Sequence, residues 1–263
     1  RTTSASTSSS STACRNRRAR TLDAINRRGP DAAAAHHIVL GPFELWMAGA
    51  VLSLRGKDVT PQPLVDADGN ALVWNGEIFG GPVMVPPGAS DTAQLLAALA
   101  AAPSVPALMR ELCGPWAFAY WHASSRTLWH GRDLLGRRSL LRASAVPSTV
   151  AEGEAELLLR LSSVAVEDID GAAAATAWSD LPADGIASVR LLPNGPEDGT
   201  VEWEWHKASP LPPPLPLPDA LLMRPKAGGG DDAASAVETS SFWEAAVRDG
   251  QAASVRLLRA LSE

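Results

Sequence analysis

The sequence predicts a mixed α+β chain, an α/β sandwich rather than a doubly wound sheet, on three observations. Short apolar or alternating runs recur through residues 43–205, with two helical patterns in their midst. No Gly-rich loop with a hydroxyl or Lys partner joins a strand to a helix, so the phosphate-binding parallel sheet has no signature. No fixed-period repeat occurs, which disfavours a solenoid or propeller. The 263 residues allow one large domain or two small ones, and 46% hydrophobic with 20% charged residues fits a globular chain. A net charge of −6 gives no overall basic surface for nucleic acid.

Residues 1–22 are rich in Ser, Thr and Arg, with no acidic residue before Asp23. That stretch suits an organellar transit peptide, a disordered tail or a misassigned gene end. A short helix is expected from Arg18 to Arg27, burying Leu22 and Ile25, before Arg28-Gly29-Pro30-Asp31 breaks it. Its arginines read as a solvated face, since no stacking aromatics are interleaved. Phe43 to Leu54 reads as one long, largely buried strand. Thr60-Pro61-Gln62-Pro63 is a loop leading to Leu64-Val65, and Asp66-Ala67-Asp68-Gly69-Asn70 is hairpin chemistry that returns the chain through Ala71–Trp74.

Residues 80–88 form a Gly/Pro loop. Ser90 or Asp91 then caps a helix carrying Leu95, Leu96 and Leu99, with Gln94 placed for a capping-box pair with Asp91. A second short helix covers Ala107 to Leu112, with Gly114 as its stop. Trp116–Trp121 and Thr127–His130 read as a hairpin turned by Ser124-Ser125-Arg126. Further strands are expected at Ser139–Leu141, Leu157–Leu161, Ile186–Leu192 and Val201–Trp205.

From residue 207 to 240 Pro-Leu repeats and Gly228-Gly229-Gly230 read as a linker. Helical spacing resumes over 241–263, as the first helix of a further, truncated domain. Arg1 and the mid-pattern ending both look like those of a fragment. The expected organisation is thus a tail at 1–17, a domain at 18–206, a linker at 207–240 and a helix at 241–263.

Two cysteines, Cys14 and Cys113, make neither a disulfide framework nor a metal cluster, which fits a reducing compartment such as the cytoplasm. Cys113 reads as a packed thiol. His36-His37 would point oppositely on an extended chain, so no metal site is expected.

Leu72-Val73-Trp74 runs straight into Asn75-Gly76. The plain reading is a strand ending in a tight turn. The sharper one is an oxyanion hole, a carboxamide beside a backbone N–H.

Five pieces in one order carry a resemblance. They are Arg28-Gly29-Pro30-Asp31, Gln62-Pro63, Asn75-Gly76-Glu77-Ile78-Phe79, Ser90-Asp91-Thr92, and Gly114-Pro115-Trp116-Ala117-Phe118 followed by Gly131-Arg132-Asp133-Leu134-Leu135-Gly136-Arg137-Arg138. This order resembles the class II glutamine amidotransferase domain of asparagine synthetases, and most of all the asparagine synthetase domain-containing branch, over about residues 20–205. The resemblance implies an N-terminal-nucleophile fold, a four-layer αββα sandwich of two antiparallel sheets between helical layers. It also implies a glutaminase that releases ammonia from glutamine for ATP-dependent amidation of aspartate to asparagine in a C-terminal synthetase domain.

Carried over, Asn75 and Gly76 match the oxyanion hole with Glu77 beside them, and Asp91 matches the carboxylate that grips the substrate's α-ammonium. Arg28, Asp31, Arg132 and Asp133 match positions expected to be structural. Cys14 is the candidate nucleophile, but thirteen residues precede it, so its α-amine is tied in a peptide bond unless processing frees it. The family's carboxylate-binding Arg falls near Val51, and Arg55 is the nearest substitute. Cofactors are expected in the synthetase domain alone, as ATP and Mg; its pyrophosphate-loop pattern is not in this sequence. The alternative is a catalytically inactive pseudo-glutaminase kept for ligand sensing or partner docking.

Overall fold

The computed structural model describes residues 18–52, 58–143, 159–165, 178–195 and 198–208. Among them lie three helices and eleven strands, and every pair of neighbouring strands is antiparallel. The expected linker and the helix at 241–263 fall outside the described residues.

The first helix, α1, covers 18–26, with Leu22 and Ile25 half-buried. Arg18 leaves it to bind Glu44 at 3.0 Å and to lie over the Trp46 ring. The chain then makes a hairpin of β1 (Ala32–Leu40) and β2 (Phe43–Val51), registered from Leu40↔Phe43 to Ala32↔Val51. Gly41 turns it with φ +58°, a conformation that suits glycine. The four alanines of β1 favour helix when taken alone, and no strand is expected there from sequence. Pairing along all of β2 overrides that preference, and alternate side chains turn inward. His36 and His37 accordingly face opposite ways, and His37 reaches Glu44 at 3.2 Å.

A six-stranded sheet ordered β11-β10-β6-β5-β4-β3 is the centre of the fold. Its strands are β3 (Leu64–Val65), β4 (Ala71–Gly76), β5 (Trp116–His122), β6 (Thr127–Arg132), β10 (Gly185–Pro193) and β11 (Gly199–Lys207). A smaller sheet joins β8 (Arg160–Ser162), β7 (Leu141–Ala143) and β9 (Trp178–Asp180). The strand expected at 139–141 is thus shifted toward its C-terminal side, since pairing with β8 and β9 begins only at Leu141. The strand expected at 157–161 is described as Arg160–Ser162, and residues 157–158 fall outside the description.

The pleat sorts the core. Leu72, Trp74, Phe118, Tyr120 and Ile186 face helices α2 (Asp91–Ala101) and α3 (Val105–Glu111), packing on Leu95, Leu96, Leu99 and Met109. Ala71, Trp121, Leu128 and Val189 of the same strands face the other way, onto Phe43 and Met47 of β2. Each fully buried Leu in these clusters contributes about 1.5–3 kcal/mol. Asp66 shapes the β3–β4 turn by accepting from the N–H groups of Asp68 and Asn70, and Asn70 accepts in turn from Ala123 N–H. Two hairpins are thereby tied at one end of the sheet.

His130 sits on the β2-facing side, fully buried, and its Nδ1 has no hydrogen-bond partner among the described residues. Burial, with Arg142 nearby, lowers its pKa from 6.5 to about 3. The folded chain keeps the ring neutral where the unfolded chain protonates it. Stability from this site is therefore full above pH 6.5 and falls as pH drops toward 3, by about 1 kcal/mol per pH unit. His130→Leu should flatten that slope in denaturant titrations across this window, while changing stability little at pH 8.

Candidate functional site

The far end of β4 is held from three sides. Asn75 and Gly76 do not form a tight turn; they are the last two strand residues, paired with Ala117 and Trp116. Gly76 is not among the positive-φ glycines, and a different constraint requires glycine there. A Cβ at 76 would lie 2.6 Å from the Pro115 carbonyl oxygen and 2.8 Å from the Trp74 ring. Close approach, not turn geometry, is what the Asn-Gly pair reflects.

Hydrogen-bond directions alternate along this segment. Glu77 N–H donates to Pro115 O at 3.0 Å on the β5 side, whereas Trp74 N–H donates to Gln62 Oε1 at 2.7 Å on the opposite edge. Alternation points Gly76 N–H to the same edge as that of Trp74, beyond the reach of β3, whose pairing ends at Leu64↔Leu72. The Asn75 side chain is on the β2-facing side of the pleat, one position from the Trp74 indole on the helix side. Asn75, Gly76 and Glu77 are all half-buried.

The start of α2 meets that edge. Ser90 is its N-cap but makes no side-chain cap bond, and Asp91 is the first helical residue. Asp91 Oδ1 accepts from the adjacent Thr92 N–H at 2.8 Å, and Oδ2 accepts from Trp74 Nε1 at 3.4 Å. The expected capping by Asp91 with Gln94 is therefore replaced by a carboxylate turned toward β4. Its negative charge also suits the positive end of the helix. Gln62 completes the junction, donating from Nε2 to Thr92 Oγ1 at 3.3 Å.

The opposite flank is fixed by Asp133, which is 3% exposed. Its carboxylate accepts from Trp116 N–H, Leu135 N–H, Arg137 N–H and Arg137 Nε, at 2.9–3.1 Å. Burial alone would raise its pKa, but the Trp116 N–H, the Arg137 side chain and the Leu135 N–H outweigh it and hold the carboxyl below the usual range. Trp116 is the register partner of Gly76, so this carboxylate also fixes where β4 ends. Arg137 reaches on to the Gly114 carbonyl, and Gly114 is required because a Cβ there would run into the Glu77 carbonyl. Glu77 pairs with Arg138 at 3.4 Å. Arg132 pairs with Asp180 at 3.1 Å, and Arg28 donates to Ser163 O at 2.8 Å, so both tie segments together.

Of the residues singled out from sequence, Asn75, Gly76 and Glu77 follow one another at the end of β4, and Asp91 reaches that strand through the Trp74 indole. Cys14 and Arg55 lie outside the described residues. Val51 ends β2 as the partner of Ala32, an apolar side chain where an Arg would be sought. Cys113 is exposed rather than packed, because its backbone bridges Gly80 while the thiol stands outside the core. Gln62 and Thr92 join the site through contacts that the sequence does not reveal. A Gln inside a Pro-flanked loop is unremarkable in sequence, and only its burial at 7% exposure and its two bonds reveal it.

A family model described as a glutamine amidotransferase domain matches residues 3–198. Asparagine synthetase domain-containing protein 1 of Gallus gallus is 43% identical over 122 residues, covering 44% of this chain and 19% of the relative. The Mus musculus protein of the same name is 36% identical over 174 residues, covering 65% and 26%. The Homo sapiens protein is 34% identical over 171 residues, covering 64% and 24%. The matched region thus amounts to about a quarter or less of each of these relatives.

The crowding at position 76 sets a direct check. Gly76→Ala should lower unfolding free energy by about 1–3 kcal/mol in urea titrations, since none of the three groups it meets is a flexible chain end.

Proposed function

Since the chain belongs to the glutamine amidotransferase domain family, we propose that it is the glutamine-binding, glutaminase part of an asparagine-synthetase-like protein. The observation that carries this reading is the contact of Trp74 Nε1 with Asp91 Oδ2, which fastens the carboxylate to the strand end bearing Asn75 and Gly76. Glutamine has two ends to recognise, a side-chain amide and an α-ammonium. In this reading Asp91 takes the ammonium, while the Asn75 carboxamide and the Gly76 N–H take the amide oxygen. The chemistry is thiol attack on the amide carbon, charge developing on the oxygen and ammonia leaving. Preorganised donors at that oxygen lower the barrier because they need no reorientation as charge builds. Glu77 lines the same end of β4.

The proposal extends to what lies around this site. In it, the six-stranded sheet and a second antiparallel layer that includes the β1–β2 hairpin stack between helical layers as a four-layer αββα sandwich, a reading supported by helices on one side of the six-stranded sheet and the hairpin on the other. Cys14 is the nucleophile only if its α-amine is freed, and Arg55 is the candidate for the substrate carboxylate. Ammonia passes to a synthetase domain that uses ATP and Mg to amidate aspartate, in the cytoplasm.

One observation favours a second reading. Val51 cannot pair with a carboxylate, which suits a pseudo-glutaminase that binds an amino acid without hydrolysing it.

Calorimetric titration with L-glutamine separates the outcomes. Binding is expected, and Asp91→Asn should weaken it by about 10- to 100-fold, the worth of one charge-assisted contact. Ammonia release that a thiol alkylator abolishes supports the glutaminase. Binding without release supports the sensor; no response to L-glutamine overturns the glutaminase, and no response to any amino acid overturns the sensor as well.

A further inference from the structure

We infer that Gln62 is a positioning residue of the glutamine site, setting the span between the Asn75-Gly76 pair and the Asp91 carboxylate. The inference rests on the glutamine reading above.

The register shows why a side chain does this work. β3 and β4 pair as Leu64↔Leu72 and Val65↔Ala71, so the ladder, if continued, would set Gln62 opposite Trp74 two positions on. The backbone leaves the ladder before that point, and no pairing follows Leu64↔Leu72 among the described residues. It turns instead against β2, where a Cβ on Gly49 would lie 2.8 Å from the Gln62 carbonyl oxygen and 2.7 Å from its Cβ. The Gln62 amide then reaches back and supplies the acceptor that the strand no longer provides, at 2.7 Å from Trp74 N. Its other end donates to Thr92 Oγ1 at 3.3 Å.

One planar amide therefore joins the residue before Asn75 to the residue after Asp91. Both groups needed to recognise glutamine are each one residue from an end of this bridge. Departure of β3 also leaves the Gly76 N–H beyond the last β3 pair. An acceptor and a donor are both required, and Gln supplies both in a fixed plane. Gln62 is buried with both ends of its amide bonded to Trp74 and Thr92, so it acts through the groups it holds.

The test uses two ligands on the full chain, L-glutamine and glutaramate, which is glutamine without the α-ammonium group. Wild-type protein is expected to bind glutamine at least tenfold more tightly. Gln62→Met should reduce this preference below about threefold, mainly through weaker glutamine binding, with glutaramate little changed. Thr92→Val, which keeps the Gln62–Trp74 bond, should act in the same direction and decides the matter if Gln62→Met does not fold. A folded variant with the wild-type preference overturns the span, as does equal weakening for both ligands, which marks a purely structural role. Wild-type protein with no preference overturns the glutamine reading itself, and this inference with it.

Discussion

A single buried carboxylate ties the 133–137 loop of this molecule to the start of β5. Asp133 is surrounded by four N–H donors from three residues, and one of them begins β5. An ionised carboxylate in that position is stable only while all of these donors converge on it. The loop 133–137, the start of β5 and the carbonyl of Gly114 therefore form one rigid corner. Because Trp116 stands opposite Gly76, the corner also fixes the end of β4, where the chemically suggestive residues collect. The local geometry of the candidate site is thus set on one flank by a charge that never contacts it.

On its other flank the site depends on neutral polar groups at the edge of the sheet. Trp74 has two functions there. Its ring fills the core against α2 and α3, and its indole N–H anchors Asp91. Packing and polar contact are coupled in one side chain, so the helix start cannot drift without opening the core. The half-exposure of Asn75, Gly76, Glu77 and Asp91 then follows from where β3 stops rather than from any special loop.

Much of this was legible in the residues. Apolar and aromatic runs placed most of the strands of the six-stranded sheet, the leucine spacing placed α2, and the Asp-rich turn placed the β3–β4 hairpin. The five ordered pieces identified the glutamine amidotransferase relationship, now carried by the match over residues 3–198. What local signals missed was set by tertiary contacts. Asn75-Gly76 reads as a turn because both residues tolerate positive φ, yet the glycine answers to the carbonyl of Pro115. The alanines of β1 read as anything but a strand until β2 lies beside them. Asp91 reads as a helix cap, but Trp74 draws its carboxylate toward the sheet. Gln62 carries no local signal, since its meaning arises only where two distant segments need a shared acceptor and donor.

That last arrangement bears on how the chain tolerates change. Residues joined by a backbone ladder must keep their spacing, because losing or adding one inverts every side chain that follows. Here the ladder ends at Leu64, and the connection from β2 arrives through a side-chain clamp. The stretch upstream of residue 62 can then lengthen or shorten without shifting Trp74, provided that Gln62 still reaches its two partners. Variation in loop length is confined to one side of the clamp, and Asn75, Gly76 and Asp91 lie on the other.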